Sequence, residues 1–246
     1  MESASRIGRI IGVLIAIQMV GSGMVNFALE RPLINPPGFL VNAAAHPQQL
    51  ALAALLGLVT EPLVWLGIAI TAFAIFYQRT HRMALWFVAL AVVSLTVAVV
   101  ENIGVMSMIS LSQAYMKASA VEREQLETAK VIVVAARNWP HVLDRVILAG
   151  AIFVFYSVLY RFALIPRVIA GFGLIASPLM AIAMAMPIFG HAILFPMLVP
   201  MGLSHLILVV WLLTKGFRDQ PGPSRKLSVD LTVGEGLAVR ETAGSD

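Results

Sequence analysis

Six apolar stretches of about 20 residues each, long enough to cross a bilayer as helices, run through this 246-residue chain. They admit one kind of fold, because in lipid every backbone polar group must be satisfied within its own helix or in a closed barrel. The stretches lie near residues 10–29, 50–76, 83–109, 139–160, 168–189 and 193–214. Charged residues make up only 12% of the chain, against about 25% in soluble domains. The expected fold class is all-α: a polytopic integral membrane helical bundle with six transmembrane helices over residues 1–215. Residues 216–246 are rich in Gly, Pro, Ser and charge, and are expected to form a disordered cytoplasmic tail.

Loop charge gives the orientation. Arg6, Arg9, Arg79, Arg82, Arg161, Arg167, Lys215, Arg218, Arg225, Lys226 and Arg240 fall on one side, eleven in all. The other side holds four: Arg31, Lys117, Arg123 and Lys130. The positive-inside rule then places both termini in the cytoplasm of a multi-pass plasma-membrane protein, N-in and C-in. The basic residues flank apolar segments, so their partner is the anionic leaflet and no nucleic acid is expected. The first apolar run exceeds a signal-peptide core and carries Gln18, Ser22 and Asn26, so it is expected to remain as a span.

The two loops on the exterior side are the long ones. Asn35-Pro36-Pro37-Gly38 signals a turn, and residues 112–137 read as one amphipathic helix continuing into the fourth span. Pro140 is expected to kink that helix or to mark its first turn.

Charges inside the apolar runs are the best clue to a site, since each costs roughly 3 kcal/mol at mid-membrane on insertion scales. Glu61 lies in the second span, Glu101 in the third, and Arg137, His141, Asp144 and Arg145 share one face of the fourth. Asn26 joins them from the first span, where Gln18, Ser22 and Asn26 step by four along one stripe. At 1.5 Å per residue these groups all fall in the exterior half. Glu61 is the deepest, with Arg145 roughly one to two turns nearer the exterior, so the expected partner of Arg145 is Glu101 and Glu61 is left without a cation.

Several chemistries are excluded. The chain has no cysteine, no lysine within a span and no nucleotide, zincin or serine-hydrolase motif, so no cofactor is expected. His141 and His205 lie at different depths and do not make a haem pair, and His205 is expected to be a hydrogen-bonded helix contact. Met184, Met186, His191, Met197 and Met201 form the alternative of a soft-metal site, against the plainer reading that methionines fill gaps beside prolines. Gly8-Arg-Ile-Ile-Gly12 matches the small-residue dimer pattern, which leaves a homo-oligomer open.

The segment Tyr160-Arg-Phe-Ala-Leu-Ile-Pro-Arg-Val-Ile-Ala-Gly-Phe-Gly-Leu-Ile-Ala176 resembles the signature of a bacterial membrane family, domain of unknown function family 4386. Tyr160, Arg161, Pro166 and Arg167 fit its short interior turn, while Phe162 replaces a small polar residue and Gly171 is displaced by one. The Asn42–His46-Pro47 region, Glu124-Gln125-Leu126 and the span around His141 are also similar. The resemblance implies six spans and supplies no activity.

Three functions are compatible with these residues. The first is binding or sensing of a small polar or amphiphilic ligand in a polar pocket in the exterior half. The second is a membrane-embedded enzyme or permease using Glu61, Glu101 and Asp144. The third is a scaffold whose buried ion pairs hold helices and bind nothing. For the topology, reporters fused after Arg79 and after Gly216 are expected to read cytoplasmic, and one at Pro37 exterior. A Gly216 fusion reading exterior would overturn the even span count.

Overall fold

A computed structural model describes residues 3–218. The expected tail from 219 to 246 lies outside the described residues. Six helices are long and apolar enough to cross a membrane: α1 (Ala4–Ile34), α2 (Pro47–Arg79), α3 (His81–Lys117), α4 (Ala120–Arg161), α5 (Arg167–Phe189) and α6 (Phe195–Lys215). No strand occurs among the described residues. Each helix packs against the next in sequence, and α6 returns to α1, closing a ring. The short connections force antiparallel neighbours.

Within this ring α4 is drawn to the centre. Over its most apolar stretch 56% of residues are buried, against 33% or less for any other span. Its inner surface (Leu148, Ala151, Ile152, Phe155 and Tyr156) meets Trp65 and Phe76 of α2 and Phe87 of α3. Phe155 is the hub, with ring centroids 5.4 Å from Phe87, 5.8 Å from Phe76 and 6.2 Å from Trp65. Such aromatic pairs add about 0.5–1.5 kcal/mol each beyond their burial.

The first and last described residues lie at one end of the bundle. Gly216, at φ 68°, packs against Ser5, whose hydroxyl donates to the Lys215 carbonyl at 3.3 Å. Packing continues into the segment expected to be tail, since Phe217 is buried and the Arg218 N–H donates to the Leu164 carbonyl at 2.8 Å. Gly8 and Gly12 face this junction: a Cβ on Gly8 would strike the backbone of Gly216 and Phe217, and one on Gly12 would meet Leu212. The GxxxG pattern therefore serves close packing of α1 against α6 within the chain.

At the other end α3 and α4 are far longer than a bilayer requires. Their 37 and 42 residues correspond to about 55 and 63 Å, against a hydrocarbon core of about 30 Å. The amphipathic segment expected over 112–137 is not continuous, because the chain breaks at Ala118–Ser119. Ser119 is an N-cap: its backbone N–H donates to Glu122 at 2.8 Å and its hydroxyl at 2.7 Å, and these bonds hold the Glu122 carboxyl below its ordinary value. From there α4 runs unbroken through Pro140 to Arg161, so Pro140 does not mark a first turn. The Asn35–Gly38 turn forms with Gly38 at φ 106°, and Asn42 ties it down by donating to the carbonyls of Asn35 (2.7 Å) and Leu33 (3.3 Å).

The turn Phe162–Pro166 joins α4 to α5, with Leu164 and Ile165 fully buried and Pro166 at the N-cap of the next helix. Beyond it Gly173 lies against the ring of Tyr156, where a Cβ would overlap the aromatic carbons. Tyr156 is itself fully buried and cannot swing away. Gly173→Ala is therefore expected to destabilise the protein by about 1–3 kcal/mol, the usual cost of overpacking a tight core. Gly171→Ala, whose Cβ would meet Tyr160 at an ordinary 3.6 Å, is expected to be neutral. Thermal unfolding in detergent checks the pair, and equal melting temperatures for the two variants would disprove the contact.

Candidate functional site

A π-helical turn interrupts each of α1 and α2, and the two are staggered along the helix pair. One spans Val25–Glu30 and the other Val59–Leu63. In the second, Pro62 has no N–H to give to the preceding turn, and the widened turn absorbs the missing bond. Close approaches fix the surrounding helices: Gly21 of α1 lies against Thr60 of α2, and Gly104 of α3 against the Arg137 backbone of α4, where a Cβ would come to 2.9 Å. At this level the intramembrane charges meet.

The structure brings all seven candidate polar residues to one pocket: Asn26, Glu61, Glu101, Arg137, His141, Asp144 and Arg145 all line it. Glu61 and Arg145 are in direct contact as an ion pair. This corrects the pairing inferred from depth, which left Glu61 without a cation and gave Arg145 to Glu101. Counting residues from the ends of apolar runs ignores the π-turn that displaces Glu61 and the reach of a long guanidinium side chain. Glu101 is instead held by α4 one to two turns nearer the loop end. His141 Nδ1 lies 3.0 Å and Arg137 Nη2 3.5 Å from its Oε1. Asp144 is wholly buried, accepts a short hydrogen bond from the Ser94 hydroxyl and lies 3.8 Å from Arg145 Nε.

One member was missed. Glu30 lies 3.5 Å from Arg137 Nη2 and lines the same pocket. A signal existed, because Glu30 continues the stripe Gln18, Ser22, Asn26 by another step of four, yet it falls just past the first apolar run, which ends near residue 29. With Glu30 the pocket holds four carboxylates (Glu30, Glu61, Glu101 and Asp144) against the guanidiniums of Arg137 and Arg145, with His141 between. The layer therefore carries more acid than base. Asn26 donates to the Ser22 carbonyl at 2.8 Å and adds a polar wall. The pocket's free volume is only about 50 Å³, room for water-sized groups beside the ion pairs.

A second cavity, of about 310 Å³, adjoins the first and is open on the side where Gly202 is exposed. The two share Ser22, Glu61 and Arg145 as a common wall. Beyond that wall the lining is apolar, with Trp65, Leu148, Ile152, Met180, Met184 and Met201 among it. His205 also lines it, and is not the hydrogen-bonded helix contact expected. Its ring stacks on Tyr156 (6.3 Å, 13° between planes) and its buried Nε2 has no hydrogen-bond partner among the described residues. Of the five alternative metal residues, Met184 and Met201 line this cavity, whereas Met186, His191 and Met197 do not. Among the described residues no cluster of three or more His, Cys, Asp or Glu is arranged to hold a metal ion.

An all-helical six-span bundle with a charged layer inside it defines a multi-span membrane protein. The sequence profile of the family described as "Domain of unknown function (DUF4386)" matches residues 10–216, and the chain belongs to that family. Searches of curated proteins and of solved structures give no match.

The geometry makes Arg145 depend on Glu61. Removing one member of a buried pair costs about 3–5 kcal/mol, because the other charge is left stranded. Arg145→Ala is expected to lower the detergent melting temperature strongly. Arg145→Ala with Glu61→Gln should recover part of the loss, and Arg145→Ala with Glu101→Gln should recover less. A double-mutant cycle reads the coupling directly. Strict additivity for Arg145 and Glu61 would mean that they are not partners.

Proposed function

We propose that this protein binds a small amphiphilic ligand inside the bundle, on the exterior side of the plasma membrane, with its termini in the cytoplasm. The observation that carries this reading is the junction of two cavities of opposite polarity across one ion pair, Glu61–Arg145. Ligand sites are concave and mostly apolar with a few converging polar groups, and run from about 300 to 1,000 Å³. The apolar cavity, at about 310 Å³, meets the lower bound, and the charged pocket beside it supplies orientation. The polar pocket alone is too small for more than water-sized groups. Loop charge supports the orientation, since Arg6, Arg9, Arg79, Arg82, Arg161, Arg167, Lys215 and Arg218 lie at the bundle end where the described residues begin and finish.

One observation favours the scaffold reading instead. Every carboxylate of the layer has a partner: Glu61 has Arg145, Glu101 has His141 and Arg137, Glu30 has Arg137, and Asp144 has Ser94. Polar contacts between membrane helices contribute only about 0.6–2 kcal/mol each. That accounts for the pairs but not for a cavity left between five helices.

Gly202 separates the two readings. A Cβ added there meets nothing within 4 Å, and the residue lines the apolar cavity. Gly202→Leu is expected to fill the space with no loss of helix stability, leucine being the better helix former. Native mass spectrometry of detergent-purified wild type is expected to show one bound small molecule per chain, absent in Gly202→Leu. Gly67→Leu, at an equally open position outside both linings, should retain it. An adduct unchanged in Gly202→Leu, or none in wild type, would leave the scaffold reading standing.

A further inference from the structure

Two buried polar side chains border the apolar cavity without full hydrogen bonding. Gln18 of α1 and His205 of α6 are 9% and 7% exposed, and both line it. Gln18 donates from Nε2 to the Ser22 hydroxyl at 3.3 Å, while its Oε1 is buried with no partner. Turning the amide over only exchanges which of its atoms Ser22 satisfies and leaves the other bare. His205 Nε2 is likewise buried and bare. Buried polar atoms without partners are rare, and each costs about as much as a lost hydrogen bond. Both side chains belong to the wall of one cavity, on the packed helices α1 and α6, and a ligand group that both donates and accepts would satisfy them.

The charge on the lining narrows that group further. Glu61 and Arg145, the only ionisable pair shared with the polar pocket, are in direct contact and cancel. The surplus acid of the site belongs to Glu30, Glu101 and Asp144, which line the polar pocket and not this cavity. An ionised head entering here would find no unpaired counter-charge and would be desolvated without compensation. A hydroxyl carries no such penalty, and it offers one donor and two acceptor lone pairs. The rest of the lining suits a flexible chain. Met180, Met184 and Met201 are unbranched and adjust to irregular shapes, and Trp65 gives a flat apolar wall.

We infer that the apolar cavity is the binding site for an uncharged amphiphile bearing a hydroxyl, its head hydrogen-bonded by Gln18 and His205 and its chain lying along Trp65 and the three methionines. The inference rests on the reading of the bundle as an amphiphile binder and names the chemistry of that amphiphile. Aliphatic and isoprenoid alcohols belong to this class, and fatty acids and alkyl ammonium ions do not.

Trp65 reports on occupancy, because a bromine on the chain quenches a tryptophan it touches. The protein in lipid nanodiscs would be titrated with ω-bromoundecanol, with ω-bromoundecanoic acid at a pH where it is ionised, and with ω-bromoundecyl trimethylammonium. Trp86 and Trp139 lie on the outer surface, 63% and 48% exposed, so chains dissolved in the bilayer quench them in linear proportion to concentration. The alcohol is expected to add a saturable component, absent from Trp65→Phe and from Gly202→Leu. Gln18→Leu and His205→Phe should each weaken it roughly fivefold, the effect of one neutral hydrogen bond. Should Gln18→Leu fail to give a monodisperse protein, Gln18→Met keeps the side-chain length and tests the same bond. The acid and the ammonium are expected to quench linearly only.

Saturable quenching by the acid or the ammonium as strong as by the alcohol would overturn the uncharged class and leave the amphiphile reading intact. Saturation by none of the three would overturn both. Saturation by the alcohol that is unchanged in Gln18→Leu and His205→Phe would overturn the assignment of its head.

Discussion

An arginine on the most buried helix of a membrane bundle must find a carboxylate, and Arg145 finds Glu61. A lone charge at that level costs several kcal/mol even after relaxation, so the contact fixes how α2 and α4 stand relative to each other. Asp144, the next residue back, is turned into the interior toward Ser94 of α3. Two consecutive residues of α4 thereby bind its two inner neighbours. The π-turn at Val59–Leu63 contains Pro62, which has no N–H to donate, and carries Glu61 in contact with the guanidinium.

The charged layer divides the bundle into two regions of different character. Towards the termini the interior is an aromatic and aliphatic core centred on Phe155, closed by Phe217 and the Gly8–Gly12 contact with α6. Towards the loops the helices are held by polar groups, and α3 and α4 continue well past the length of a span. The two cavities lie at this boundary, where close packing by small apolar residues gives way to ion pairs that need room for their hydrogen bonds. Met180, Met184 and Met201 line the transition, where unbranched side chains adjust to an irregular wall.

Much of the site was legible because membrane insertion makes charge conspicuous. Glu61, Glu101, Asp144 and Arg145 stand out in apolar runs, and helical spacing alone puts Arg137, His141, Asp144 and Arg145 on one face. All seven candidates line one pocket. Who pairs with whom was not legible. Depth counted from span ends assumes straight helices of uniform rise, and two π-turns and the extra lengths of α3 and α4 break that assumption. Glu30 is hidden for the same reason: the first apolar run ends near residue 29, whereas its helix continues to Ile34.

The sequence by itself determined the class of structure, because six uninterrupted apolar stretches leave the backbone no alternative to helices in lipid. It also determined which side chains had to be gathered inside, since charges in those stretches cannot face hydrocarbon. Tertiary structure decided everything that depends on distance between helices. Only packing shows that Gly8 and Gly12 meet α6 of the same chain, and that His205 stacks on Tyr156 with a nitrogen left bare. Only packing shows that a cavity of about 310 Å³ remains beside the Glu61–Arg145 pair. Periodicity assigns a residue to a face, but the ring closure that sets which faces meet is a property of all six helices at once.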